Sequence, residues 1–248
     1  MTWLRLVRGE IRKLTTTKLP LGFLAVLVVV AGIDAAVVMF GTDMDGSKAF
    51  IATAADQQSL MAFAFNAMLG TGLFGAIAVA REYGHNTVVP TYLTSPRRMR
   101  AGLAQLMAVM LGGALLGLVG QGLIIAGVAL ALPSTAYGFL VSTGGVAQIL
   151  AATTLAGAVG AVLGAGLGAV IRNLGGAVTA VVLALFMIPP LVVQLFNDAA
   201  AWIPPALAAV ISGVSTDVNT WAALTALLAW AVVPAAAGLL LVQRRDVV

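Results

Sequence analysis

The residues of this chain that could do chemistry are few and far apart. They are Glu10 in a basic N-terminal segment, Asp34 inside an apolar run, and a polar stretch from Arg81 to Arg100 holding Glu82, Tyr83, His85 and Thr87. No enzyme constellation can be assembled from them. Cysteine is absent, which excludes thiolate nucleophiles, thiolate metal sites and disulfides. His85 is the single histidine, so most imidazole metal sites are excluded, and no G-x-S-x-G nucleophile accompanies it. There is no H-E-x-x-H sequence, no pair of aspartates in apolar runs, and no G-x-x-x-x-G-K-[ST] phosphate loop. No catalytic, metal-ligating or cofactor-binding residue is therefore assigned.

The composition explains why the charges are so isolated. Hydrophobic residues make up 61% and charged residues 9%, against about 45–50% and about 25% in soluble domains. So few charges cannot cover the surface of a 248-residue soluble protein. A bilayer core about 30 Å thick needs about 20 apolar residues in a helix. Six stretches qualify: 20–40, 58–80, 102–132, 146–171, 174–196 and 220–242. The third would run to about 45 Å, so it tilts or projects beyond the lipid. The first, behind a basic lead, reads as a span rather than the apolar part of a cleavable leader.

Charge placement orients these spans. The net charge of +4 invites a nucleic-acid partner, but the basic residues cluster between apolar stretches instead of forming one patch. Of the 13 Lys and Arg residues, all except Lys48 fall in the N-terminal segment, the 81–101 loop, the 172–173 turn or the C-terminal tail. The opposite loops (41–57, 133–145, 197–219) carry Asp43, Asp45, Asp56, Asp198 and Asp217. The positive-inside rule puts both termini in the cytoplasm. The expected fold is an all-α integral membrane protein, a single domain over residues 1–248 with six transmembrane helices, in the cell's inner (plasma) membrane and with no nucleic-acid partner.

Two segments outside the spans carry a pattern. At about 100° per residue, Trp3, Leu4, Val7, Ile11 and Leu14 share one helical face and Arg5, Arg8 and Arg12 the other. Residues 1–18 thus predict an amphipathic interfacial helix lying against membrane lipid. Glu10 interrupts its apolar stripe, paired either with Lys13 or Lys18 or with an arginine of the 81–101 loop. In that loop, Thr87 predicts an N-cap, Pro90 falls in the first turn, and Pro96 ends a helix of about two turns. That helix exposes Val88, Val89, Tyr92 and Leu93. So short a helix is marginal alone in water, so it needs the bundle or a partner to pack on.

Glu82, Thr87, Pro96, Arg97 and Arg98 match, in order and spacing, the coupling region of ABC-2 type transporter permeases, which this chain resembles over nearly its whole length. Asn86 stands where that family usually has glycine, a mild departure because Asn tolerates positive φ. The resemblance makes residues 1–18 a connecting helix, with Trp3 and Glu10 as its marked positions. It makes Trp202-Ile203-Pro204-Pro205 and the apolar run 206–212 a partly re-entrant outer segment between spans 5 and 6. It implies a second permease subunit, identical or paralogous, and two copies of a separate nucleotide-binding subunit. ATP and Mg would be bound by that partner and by nothing in this chain.

Within the spans, Asp34 lies about two-thirds of the way across the first helix. It reads either as part of a substrate path or as an acid near enough to the outer interface to reach water. Asn66, Thr71, Gln105, Gln121 and Gln194 either bond across helices or meet a ligand. Asp34, Asn66, Thr71 and Gln194 make up the candidate substrate path. Gly160, Gly164 and Gly168 form a small-xxx-small stripe for a dimer face or an intrachain contact. Pro189-Pro190 must kink or interrupt span 5. The expected function is the transmembrane subunit of an ATP-driven exporter of amphipathic or hydrophobic substrates, driven through the 81–100 loop. The alternatives are an ion-coupled secondary transporter and a non-transporting scaffold or immunity protein.

Overall fold

A computed structural model describes residues 3–84 and 98–244. The loop positions His85, Thr87, Val88, Val89, Tyr92, Leu93, Pro96 and Arg97 lie outside the described residues. The described residues contain helices and no strand. Six helical units are long and apolar enough to cross a membrane, as the hydropathy pattern predicts: Leu19–Phe40, Ala54–Gly84, Arg98–Ser134, Thr143–Ile171, Leu174–Leu195 and Thr220–Gln243.

Helix α1 (Trp3–Thr16) ends where Thr15, Thr16 and Thr17 turn their hydroxyls back to the carbonyls of Arg12 and Leu14, satisfying its last turn. Pro20 then sits in the first turn of α2 (Leu19–Phe40), where a missing N–H costs nothing. At the far end of α2, Lys48 donates to the carbonyls of Val38 at 2.9 Å and Met39 at 2.6 Å. The one basic residue that departs from the charge asymmetry thus caps a helix C-terminus.

Span 2 differs from expectation. Instead of one helix over 58–80 it comprises α3 (Ala54–Met61) and α4 (Ala64–Gly84), broken at Ala62–Phe63. A capping box between Thr53 and Asp56 starts α3 early. α4 runs on through Arg81 and Glu82, with Arg81 in the last turn where it suits the helix dipole. The next helix, α5 (Arg98–Ala131), starts at Arg98, so Arg98 and Arg100 are helical rather than part of the loop. Its 34 residues reach about 51 Å.

Helix α6 (Thr143–Ile171), capped by Ser142, is the axis of the bundle. More than half of the spanning windows of α4 and α6 is buried (56% each), against 11% for α2, so α2 is the peripheral span. Small residues let α6 approach three neighbours. A Cβ on Gly164 would strike the Gly72 carbonyl of α4, and one on Gly160 the Met68 carbonyl. One on Gly157 would strike the Gly113 carbonyl of α5. A Cβ on Gly166 would meet Pro234 and Ala235 of α10 (Thr220–Arg244) at 2.5 Å. Without a hydrophobic drive between helices in lipid, such close backbone packing is what holds spans together.

Span 5 is interrupted as Pro189-Pro190 requires. It consists of α7 (Leu174–Val182), a π-helical turn (Leu183–Met187) and α8 (Ile188–Leu195). The two prolines offer no N–H to the carbonyls of Leu185 and Phe186, and the helix widens over those residues. α9 (Pro204–Ile211) spans only eight residues, about 12 Å, and buries Leu207, Ala208 and Val210 against α4, α6 and α10.

Candidate functional site: an ion-paired helix junction and a cavity with one carboxylate

At one end of the bundle the chain gathers α1 and the last turn of α4. Lys13 Nζ lies 2.8 Å from Glu10 Oε1 and 3.4 Å from Glu82 Oε1. Glu10 is buried at 8% exposure, which a lone carboxylate could not sustain without a cation beside it. Of its two anticipated pairings, the one with Lys13 is present, and Lys13 extends it to Glu82 on the neighbouring helix. Leu14, Arg81 and Gln105 border the same small cleft.

This junction rotates α1 relative to the expected stripe. Val7, Glu10 and Leu14 face the bundle, mainly α5, whereas Leu4 (78% exposed), Ile11 and Trp3 point away from it. The helix turns its carboxylate inward and leaves part of its apolar face uncovered by protein, as a helix lying on lipid would.

Beside this junction, Arg172 terminates α6 in the left-handed conformation (φ 57°). Its guanidinium donates to the Leu241 carbonyl of α10 at 3.3 Å and stacks 5.1 Å from the Tyr83 ring. One arginine therefore ties the ends of α4, α6 and α10.

Farther along the bundle, α2, α4 and α5 border a partly open cavity of about 490 Å³ lined by Asp34, Asn66 and Thr71 among apolar residues. Three of the four candidate path residues are brought together there. The fourth, Gln194, is exposed on α8 and does not line the cavity. Thr71 is buried, with its hydroxyl donating to the Ala67 carbonyl at 2.8 Å, so its polarity is spent within its own helix. Asp34 has no hydrogen-bond or ion-pair partner among the described residues. Gly160, Gly164 and Gly168 face α4 in the same chain; of the two readings of this stripe, the intrachain contact is the one observed.

Four glutamines hold the other end; of these, Gln121 was expected either to bond across helices or to meet a ligand, and it bonds across helices, whereas Gln57, Gln58 and Gln148 were not singled out from the sequence. Gln121 of α5, fully buried, donates to the Met61 carbonyl at 3.0 Å and accepts from Thr153 of α6 at 2.7 Å. The break at Ala62–Phe63 leaves the Met61 carbonyl without its helical donor, and Gln121 supplies one. Gln57 of α3 donates to the carbonyls of Ile51 and Gly138 and accepts from the Leu140 N–H. Gln58 and Gln148 donate to the Ser212 and Ile211 carbonyls at the end of α9. Polar residues spaced inside apolar runs were the available signal, but their partners are helix-end and loop backbone groups, and one hydroxyl of a neighbouring helix, that no periodicity reveals.

Among the described residues, no three His, Cys, Asp or Glu side chains gather as metal ligands would. The site is an ion-paired junction at one end and a mostly apolar cavity with a single carboxylate farther along. No family model matches the sequence, and no curated protein matches it.

Proposed function

We propose that this chain is the transmembrane subunit of an ATP-driven ABC transporter of the ABC-2 type, exporting an amphipathic or hydrophobic substrate. The observation that carries the reading is the Lys13 bridge between Glu10 and Glu82. It fastens the amphipathic helix to the last turn of α4, at the root of the 85–97 loop, where the family resemblance locates the coupling helix. A separate ATPase gripping that loop through Val88, Val89, Tyr92 and Leu93, with Glu82, Thr87, Pro96, Arg97 and Arg98 around them, would move α1, α4 and α5 together. Such a shift changes function only if the contacts differ between two states, and a charged junction between helix ends provides that difference. In this reading both termini face the cytoplasm of the inner (plasma) membrane, α9 is the partly re-entrant outer segment, and a second permease subunit completes the cavity. Two ATPase subunits bind ATP and Mg.

The test is affinity purification from native membranes in mild detergent, beside a Tyr92→Asp/Leu93→Asp variant. An ATPase with a phosphate-binding loop should accompany the wild type and be lost with the variant; its absence from both would overturn the proposal. A second reading, an ion-coupled carrier, is favoured by the unpartnered Asp34 at the cavity wall. Solute uptake into proteoliposomes driven by an imposed proton gradient, without ATP, would establish it.

A further inference from the structure

The cavity between α2, α4 and α5 has a direction. On α2 it is lined by Phe23, Val26, Leu27, Val30 and Asp34, a single stripe with helical spacing. From Phe23 to Asp34 this stripe runs about 16 Å. At one end, Phe23 packs edge-to-face on Phe74, with ring centroids 5.7 Å apart. At the other end, Asp34 and Asn66 supply the polar groups, next to the Ala62–Phe63 break in span 2. Irregular backbone at membrane depth is tolerated where it lines a cavity.

Among the described residues, none offers Asp34 a counter-charge. Lys48, the basic residue near that end of α2, is engaged with the carbonyls of Val38 and Met39. A carboxylate in a span needs a cation, a proton or water. The stripe leading away from it is wholly apolar, so the chemistry that satisfies the whole cavity is a cation joined to a hydrocarbon chain. The volume, about 490 Å³, falls in the range of about 300–1,000 Å³ typical of sites for drug-sized ligands.

We propose that this cavity binds a single-chain cationic amphiphile, with its ammonium group beside Asp34 and Asn66 and its chain along Val30, Leu27 and Phe23. This names a substrate class for the transport reading and rests on it for its physiological meaning, but equilibrium binding needs no ATPase. The probe is tritiated dodecyltrimethylammonium, titrated against the purified full chain in a maltoside detergent. Saturable binding of one molecule per chain is expected, weakened at least about tenfold in Asp34→Asn. Gly70 lines the cavity and has open space where a Cβ would stand, so Gly70→Leu adds volume to the site with no clash at its Cβ and is expected to abolish binding. Each variant's unfolding temperature is measured alongside, and Gly70→Leu decides the question if Asp34→Asn does not fold. Wild-type chain that does not bind, or either folded variant binding as the wild type does, overturns the proposal. So does a co-purified phospholipid that blocks the amine and is lost from Gly70→Leu, which would make the occupant a two-chain lipid. Intact amine binding with no ATPase partner would instead sink the ABC assignment and leave this site standing.

Discussion

Lys13 on α1 donates to Glu82 on α4 across 3.4 Å while holding Glu10 of its own helix at 2.8 Å. One cation thus serves two carboxylates from separate helices, the inner of which, Glu10, is nearly removed from solvent. Lys13→Met leaves those carboxylates facing each other without it. Because the Lys13 side chain is 42% exposed, the Lys13–Glu82 coupling should be only about 0.5–1 kcal/mol in a double-mutant cycle with Glu82→Gln. Thermal unfolding in detergent at two salt concentrations checks it: the coupling should shrink at high salt. Coupled transport, if the junction transmits motion, should fall more than stability does.

Gly164 and Gly32 make a contrasting pair. A Cβ at Gly164 would overlap the Gly72 carbonyl, backbone that cannot yield, whereas Gly32 has open space around it. Gly164→Val should cost about 1–3 kcal/mol or prevent folding, and Gly32→Ala should be neutral or slightly stabilising. Fluorescence-detected size exclusion and unfolding temperature report both. A Gly164→Val chain of wild-type stability that merely lost self-association would assign the stripe to a dimer face instead.

The buried Gln121 network predicts an order of effects. Gln121→Leu strands both the Met61 carbonyl and the Thr153 hydroxyl, for about 1–3 kcal/mol. Thr153→Val strands only the Gln121 Oε1 and leaves Gln121 its bond to Met61, so it should cost less, about 0.6 kcal/mol, the average for such bonds in membranes. Unfolding midpoints of the two variants should fall in that order.

Gln57 anchors the 138–140 loop through two hydrogen bonds, one given and one received. Gln57→Leu should release that loop without unfolding the spans. Faster amide exchange at residues 135–142, with exchange in α6 unchanged, is the expected result.

What the amino-acid sequence determined by itself is what depends on local chemistry. The length of an apolar run sets whether a helix can span lipid, and the position of basic residues relative to those runs needs no knowledge of the fold. Leu19–Phe40 and Leu174–Leu195 therefore stand within a residue of their expected limits. The pairing of Glu10 with Lys13, three residues away on one helix, was legible for the same reason. The amphipathic face of α1 was legible only in part, because the burial of Glu10 turned the helix.

The tertiary structure decided whatever depends on a partner distant in sequence. The break at Ala62–Phe63 is stable because Gln121, 60 positions from Met61, pairs the carbonyl it frees. The glycine stripe of α6 is equally suited to any close neighbour, and only assembly assigned it to α4. Asp34 and Asn66 share a cavity while Gln194, exposed on α8, stands apart, a separation that only the packing of the helices sets. Hydrogen bonds and close packing are directional and short-ranged; periodicity records which face a residue occupies but not which backbone meets it.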